Sequence, residues 1–154
     1  MSATWTWAAV GGGHLAVGHR PKISDLARLA AAGGTHVLTL LSEREGARAI
    51  GDAVEDAGLV WLWLPLESGR PEDAGVAAVR VAIGQVRAAL LEGGRVLVHC
   101  SAGIHRTGMV SAAILRRLGL EADDVRAVLR EMRVVTADGV GEARLAWADR
   151  FASA

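Results

Sequence analysis

One cysteine in 154 residues, Cys100, leaves no partner for an internal disulfide. The N-terminal stretch has no basic segment followed by an apolar run of signal-peptide length and a small-residue cleavage site, so a cytoplasmic location is expected. No apolar stretch reaches the roughly 18 to 20 residues that cross a bilayer, because Arg, Glu, Gly or Pro interrupts every candidate, and no membrane partner is expected. Net charge is also missing: 17 basic residues balance 17 acidic ones, which removes the global electrostatic footprint of a nucleic-acid binder. Any anion must be captured locally.

The five histidines, His14, His19, His36, His99 and His105, form no i, i+4 pair and there is no cysteine cluster, so neither a metal nor any other cofactor is expected. Gly11-Gly12-Gly13-His14-Leu15-Ala16 fits the dinucleotide pattern G-x-G-x-x-A, yet Gly18 and Pro21 leave no room for the helix that must follow; it reads as a hairpin turn. Repeats, linkers and low-complexity tracts are absent, and 51% hydrophobic residues fit one packed domain over 1–154, expected to be a monomer.

What is present is alternation. Trp5 to Val10 and Leu15 to Val17 read as a hairpin, with Ser24 capping a helix that Gly33-Gly34 ends. A strand over 35–41, a helix over 43–57, a strand over 59–64 and a loop over 66–73 follow. A long helix over about 73–92 leads to the most apolar short strand, 95–99, and a helix over about 106–118. Helices over 122–132 and 140–151, separated by a turn at Ala137-Asp138-Gly139, complete the chain. The pattern predicts an α/β fold: a mostly parallel twisted sheet of about five strands with helices on both faces. Ligands then bind beyond the strands' carboxyl ends, which the Cys100 loop and the Glu67 to Asp73 loop both leave.

Between the strand ending at His99 and the helix beginning near Arg106, six residues turn back on themselves. Inward-pointing N–H groups there, with the positive end of the helix dipole, suit a tetrahedral oxyanion and stabilise a sulfur anion, the nucleophilic form of Cys100. Gly103 permits the turn, and Arg106 offers a planar fork for two phosphate oxygens. The Thr107 hydroxyl is placed to stabilise the sulfur as a leaving group. A lone cysteine is usually a small buried hydrophobe, but this spacing of His, Cys, Gly, Arg, Thr and Gly outweighs that reading.

His99-Cys100-Ser101-Ala102-Gly103-Ile104-His105-Arg106-Thr107-Gly108 resembles the signature of the protein tyrosine phosphatase superfamily, and the order of the other segments resembles its compact dual-specificity branch in bacteria. The resemblance implies a phosphatase-like fold and cofactor-free hydrolysis of phosphate monoesters, on phosphotyrosine or dual-specificity phosphoprotein substrates or small phosphate esters, through a phosphocysteine. Cys100 attacks, Arg106 stabilises the phosphoryl group, Thr107 assists breakdown, residues Ser101, Ala102, Gly103, Ile104, His105 and Arg106 form the cradle, and His99 supports the cysteine.

The general acid departs from the pattern. Where the family carries Pro-Ile-x-Asp-Gly, this chain has Pro65-Leu66-Glu67-Ser68-Gly69, with Ser68 in the aspartate's place. Asp73 and Glu67 are the candidates to replace it, Asp73 preferred for its separation from Cys100, and Glu72 is a weaker third. The glutamine that orients water in the family is also missing; its region here reads "TADGVGEARL", with Glu142. Tyr is absent and Phe151 is the only Phe, so the rings that sandwich phosphotyrosine in deep-pocket relatives are not identifiable. Two alternatives stay open: a phosphatase of phosphoinositides or inositol phosphates, suggested by His105 in the loop, and a phosphate-binding module that has lost turnover. A rhodanese-like sulfurtransferase fits less well, given the Arg-Thr-Gly ending.

Overall fold

The computed structural model describes residues 4–154. Strand β1 (Ala8–Val10) turns through Gly11 and Gly12, both at positive φ as a two-residue hairpin demands, into antiparallel β2 (Gly13–Gly18). The other three strands, β3 (His36–Thr39), β4 (Val60–Trp63) and β5 (Arg95–His99), join β2 in parallel, in the order β1-β2-β5-β3-β4.

The last strand in the chain is therefore the central one. Successive side chains of β5 point to opposite faces, and Val96, Leu97, Val98 and His99 are all buried, so the sheet is covered on both sides. Helices α1 (Ile23–Ala31) and α2 (Ala47–Asp56) pack together, with α2 against β3 and β4. On β2 and β5 lie α3 (Val76–Leu91) and α4 (His105–Arg117), with α5 (Ala122–Met132) against β1 and β2. Short α6 (Val134–Gly139) and α7 (Glu142–Ala148) pack on α4. No helix among the described residues is long and apolar enough to cross a membrane.

Strand β5 and helix α5 keep the boundaries expected from the sequence; other edges move for local reasons. The α1 cap is Lys22, not Ser24, because the Asp25 carboxylate accepts the Lys22 N–H at 2.8 Å. The expected helix over 43–57 is a 3₁₀ turn, Glu43–Glu45, and then α2, separated by Gly46 at φ 88°. Likewise the helix over 73–92 is a 3₁₀ turn at Pro71–Asp73 followed by α3. The expected turn at 137–139 is the end of α6, and the real break is Gly141 at φ 83°. That change brings Thr136 into the interior, fully buried.

Trp61 and Trp63 share a face of β4, as their spacing requires, with rings stacked 5.2 Å apart. A Cβ at Gly51 would lie 2.5 Å from the Trp61 ring, so this glycine lets α2 lie on the indole. Three parallel strands and β2 bring four loops to one end of the sheet, at 19–22, 40–46, 64–75 and 100–104.

Candidate active site

Cys100 follows β5 directly, is 3% exposed, and stands below the start of α4. The loop can curl here because Gly103 takes φ 72° and has no side chain: a Cβ would lie 2.3 Å from the Gly18 carbonyl oxygen. This close approach welds the loop to the end of β2, and the Arg20 N–H adds a bond to the Ser101 carbonyl at 2.9 Å.

Every carbonyl from His99 to Ile104 accepts a hydrogen bond. Leu40 N–H takes the His99 oxygen, the His99 ring the Cys100 oxygen at 3.0 Å, Arg20 the Ser101 oxygen and Gly108 N–H the Ile104 oxygen. Arg133 Nη1 donates to the carbonyls of Ala102 and Gly103 at 3.0 and 2.9 Å, and Thr136 Oγ1 donates to Gly103 as well. By contrast, no backbone N–H from Ser101 to Arg106 has a partner among the described residues. Because a peptide group is planar, each carbonyl held from one side turns the following N–H to the other. Six unengaged donors thus accompany the α4 N-terminus, an arrangement suited to a multiply charged oxyanion.

Arg106 is fixed by Glu45. Its Nη1 is 2.7 Å from Glu45 Oε1 and its Nη2 3.0 Å from Oε2, while Nη1 also donates to the Leu66 carbonyl at 2.9 Å. Of the five guanidinium N–H groups three are thereby used. The remaining two, on Nε and Nη2, lie along one edge and form a side-on fork for two oxygens. The hydrogen bonds from Arg106 hold the Glu45 carboxyl down at about 2, against the opposing effect of its partial burial, and Ser42 N–H and Oγ donate to it too. Arg106 is held above its ordinary value by Glu45 first, with the nearby Cys100 sulfur contributing.

His99 is fully buried, and that burial pushes its pKa to about 4, so the ring is neutral at pH 7. Its Nδ1 faces the Cys100 carbonyl, and its Nε2 is 2.8 Å from Thr39 Oγ1, which accepts from Trp61 Nε1 at 2.8 Å.

The loop after β4 closes one side. Arg144 Nε holds the Gly69 carbonyl at 2.6 Å, and a Cβ on Gly69 would lie 2.8 Å from His105 Cβ, so this turn rests on the first residues of α4. Glu67 is exposed and paired outward with Arg44 at 2.9 Å. Asp73 Oδ2 accepts from Ser68 Oγ at 2.8 Å, which ties that carboxylate to the segment beside Gly69. Glu72 pairs with Arg70, and Glu142 forms a two-pronged pair with Arg126 on the surface at 2.7 and 2.6 Å.

Thr107 is fully buried and its Oγ1 has no hydrogen-bond partner among the described residues. A helical threonine usually bonds back to the carbonyl four residues earlier; here that is Gly103, already occupied by Arg133 and Thr136. Among the described residues no group of three or more His, Cys, Asp and Glu side chains is arranged to hold a metal.

Several of these residues were not identified from the sequence. Glu45 sits in a Ser42-x-x-Glu45 capping pattern, which reads only as a helix start. Thr39, Trp61, Arg133 and Thr136 carry no local signal of a role, because tertiary packing alone brings them to the loop.

Residues 19–128, well over half of the chain, match the family model of the tyrosine phosphatase family. No curated protein matches the chain. Among solved structures, the fold superposes on kinase associated phosphatase with its catalytic site cysteine substituted by serine, with a TM-score of 0.81, 15% identity, and coverage of 100% of this chain and 98% of the other. Tk-PTP in its active form gives 0.71 at 21% identity over 99% and 98% of the two chains. PTPMT1 in complex with PI(5)P gives 0.77 at 18% identity over 96% and 94%. At these identities the likeness is one of fold.

Proposed function

The chain belongs to the tyrosine phosphatase family, and on that footing we propose that it hydrolyses phosphate monoesters, phosphotyrosine or dual-specificity phosphoprotein substrates among them, through a phosphocysteine on Cys100. The observation that carries this reading is the hydrogen bonding of the Cys100 loop, whose carbonyls are all tied to the surrounding protein while six N–H groups, from Ser101 to Arg106, have no partner among the described residues.

In the first step the Cys100 sulfur attacks phosphorus, the P–O bond to the leaving group breaks, and a general acid protonates the departing oxygen. The Arg106 edge and the cradle hold the three non-bridging oxygens, whose charge must be stabilised as the phosphoryl group transfers. We assign the acid to Asp73, because its bond to Ser68 ties its carboxyl to the family's aspartate position and its ion pair with Arg70 is long, at 3.9 Å, whereas Glu67 is bonded to Arg44 at 2.9 Å. In the second step water attacks the phosphocysteine, Asp73 takes its proton, and the sulfur leaves with the Thr107 hydroxyl as donor, yielding inorganic phosphate and free enzyme.

The test is hydrolysis of an aryl phosphate, a phosphotyrosine peptide and a soluble phosphoinositide by wild type and Cys100→Ser. The reading expects turnover by wild type, none by Cys100→Ser, and a phosphorylated Cys100 trapped by acid quench. PI(5)P is in the panel because PTPMT1 was solved with it; a preference for it of tenfold or more over the phosphopeptide replaces the protein substrate. Wild type that binds vanadate without hydrolysing any substrate is a phosphate-binding module.

A further inference from the structure

Thr39 on β3 and Trp61 on β4 are one and two strands away from β5. Their hydrogen bonds nonetheless form one directional chain that ends on the signature loop. At one end the Trp61 indole Nε1 can only donate, and it lies 2.8 Å from Thr39 Oγ1. At the other the Cys100 carbonyl can only accept, and it lies 3.0 Å from His99 Nδ1. Neutral His99 must then carry its proton on Nδ1 and accept at Nε2, where the Thr39 hydroxyl is 2.8 Å away with its one proton to give. The two ends set the direction of every link between them.

We propose that Thr39 and Trp61 are positioning residues for the phosphate cradle, acting through the His99 ring on the first peptide group of the loop. With Nδ1–H on the Cys100 carbonyl, that oxygen is held away from the anion site. The same planar peptide group carries the Ser101 N–H, which is thereby aimed into the site. Removing the Thr39 hydroxyl leaves Nε2 without a donor. The Cys100 carbonyl still favours the proton on Nδ1, but Nε2 is left buried with an unpaired lone pair and the ring is held at one nitrogen only. The first donor of the cradle loses part of its support. This consequence rests on the phosphatase reading only in so far as the bound anion is a substrate phosphate.

The experiment uses the intact chain with Thr39→Val, Thr39→Ser and Trp61→Phe. The ring nitrogens of His99 are read by long-range proton–nitrogen spectra, and the affinity for inorganic phosphate and the kcat and KM for an aryl phosphate are measured beside them. Wild type is expected to show a protonated Nδ1 and an unprotonated, accepting Nε2. Thr39→Val is expected to keep the proton on Nδ1, to move the Nε2 signal to that of a nitrogen without a hydrogen-bond donor, and to weaken phosphate binding about tenfold, less than the roughly 10²-fold or more that outright loss of an oxyanion-hole donor costs. Thr39→Ser, which can still accept and donate, restores both. The proposal is overturned if folded Thr39→Val keeps the wild-type Nε2 signal and phosphate affinity, or if serine fails to restore what valine removes. Should Thr39→Val not fold, Trp61→Phe carries the same two readouts, since it frees the Thr39 hydroxyl to rotate; an unchanged His99 pattern there also sinks the idea. The spectra and the phosphate affinity do not need turnover, so an inactive wild type defeats the phosphatase reading without touching this one.

Discussion

The Arg106 guanidinium meets the Glu45 carboxylate through two parallel bonds, at 2.7 and 3.0 Å, although 61 residues separate them in the chain. Glu45 reaches this position because the 3₁₀ turn at Glu43–Glu45 ends in left-handed Gly46, beside which the Arg20 side chain crosses to the Glu45 carbonyl. The pair takes the end of the guanidinium fork and leaves its Nε edge for an anion. A carboxylate beside a phosphate site is tolerable only because this one is neutralised by the arginine it orients.

Glu45→Gln keeps the shape and one acceptor but loses the charge and the second strong bond. We expect kcat/KM for an aryl phosphate to fall about tenfold, through a higher KM and a lower kcat together, with the fold retained. Arg106→Lys, a point charge without the planar edge, is expected to lose at least about 10²-fold. Steady-state kinetics with circular dichroism as the folding control check both. Glu45→Gln at wild-type kcat/KM would mean that packing alone orients Arg106.

Acid should destabilise the protein in two windows. His99 has a folded pKa of about 4 against an ordinary 6.5. Between those values the unfolded chain binds a proton that the folded one excludes, so stability falls as pH drops from about 6.5 towards 4. The loss is on the order of 3 kcal/mol for so buried a ring. Glu45, held near 2 against 4.5, contributes stability that is complete above about 4.5 and is lost as pH falls through its folded value. Urea midpoints at a series of pH values from about 7.5 down to about 2 check this. His99→Gln should flatten the upper window and leave the lower one; an unchanged slope would mean that His99 titrates normally.

The sequence discloses what is local and periodic. Strand β5 centres on the apolar run Val96-Leu97-Val98, with glycines before the strand and Cys100 after it, and α5 has acids in its first turn and an apolar face, so both ends of each are legible. The Cys100 loop is legible because its chemistry is compressed into nine residues. What holds that loop in shape is not. Arg133, just before α6, and Thr136 within it bond its carbonyls, and the Val134-Val135-Thr136 start of α6 favours strand over helix while its end imitates a turn. Glu45 looks like a helix cap because it is also one, accepting from the Ser42 N–H.

The general acid separates two carboxylates that the sequence left in competition. Asp73→Asn should lower kcat for a phosphate ester with a poor leaving group about 10²-fold and remove the basic limb of its pH profile, while a nitrophenolate leaving group, needing no proton, is affected far less. Glu67→Gln breaks only an exposed pair with Arg44 and should change kcat less than twofold. Ser68→Ala, which frees Asp73 without removing it, should fall between the two. If Glu67→Gln instead loses the basic limb, the acid is Glu67 and the loop after β4 rearranges when substrate binds.

Thr107 gives the last test, because a fully buried hydroxyl without a partner carries a desolvation cost of about 1 to 3 kcal/mol. Its ordinary acceptor, the Gly103 carbonyl, is occupied by Arg133 and Thr136, so its proton is left for another acceptor. We assign the departing Cys100 sulfur, because negative charge builds on it in the second step and is discharged in the first. Thr107→Val, close in shape and without the hydroxyl, should therefore be as stable as wild type or more so, since no other group loses a partner. Phosphorylation of Cys100 should keep its rate while breakdown slows about tenfold or more, giving a burst of aryl alcohol and accumulated phosphocysteine in acid-quenched samples. Equal slowing of both steps, with no burst, would place the hydroxyl's effect on the loop rather than on the leaving sulfur.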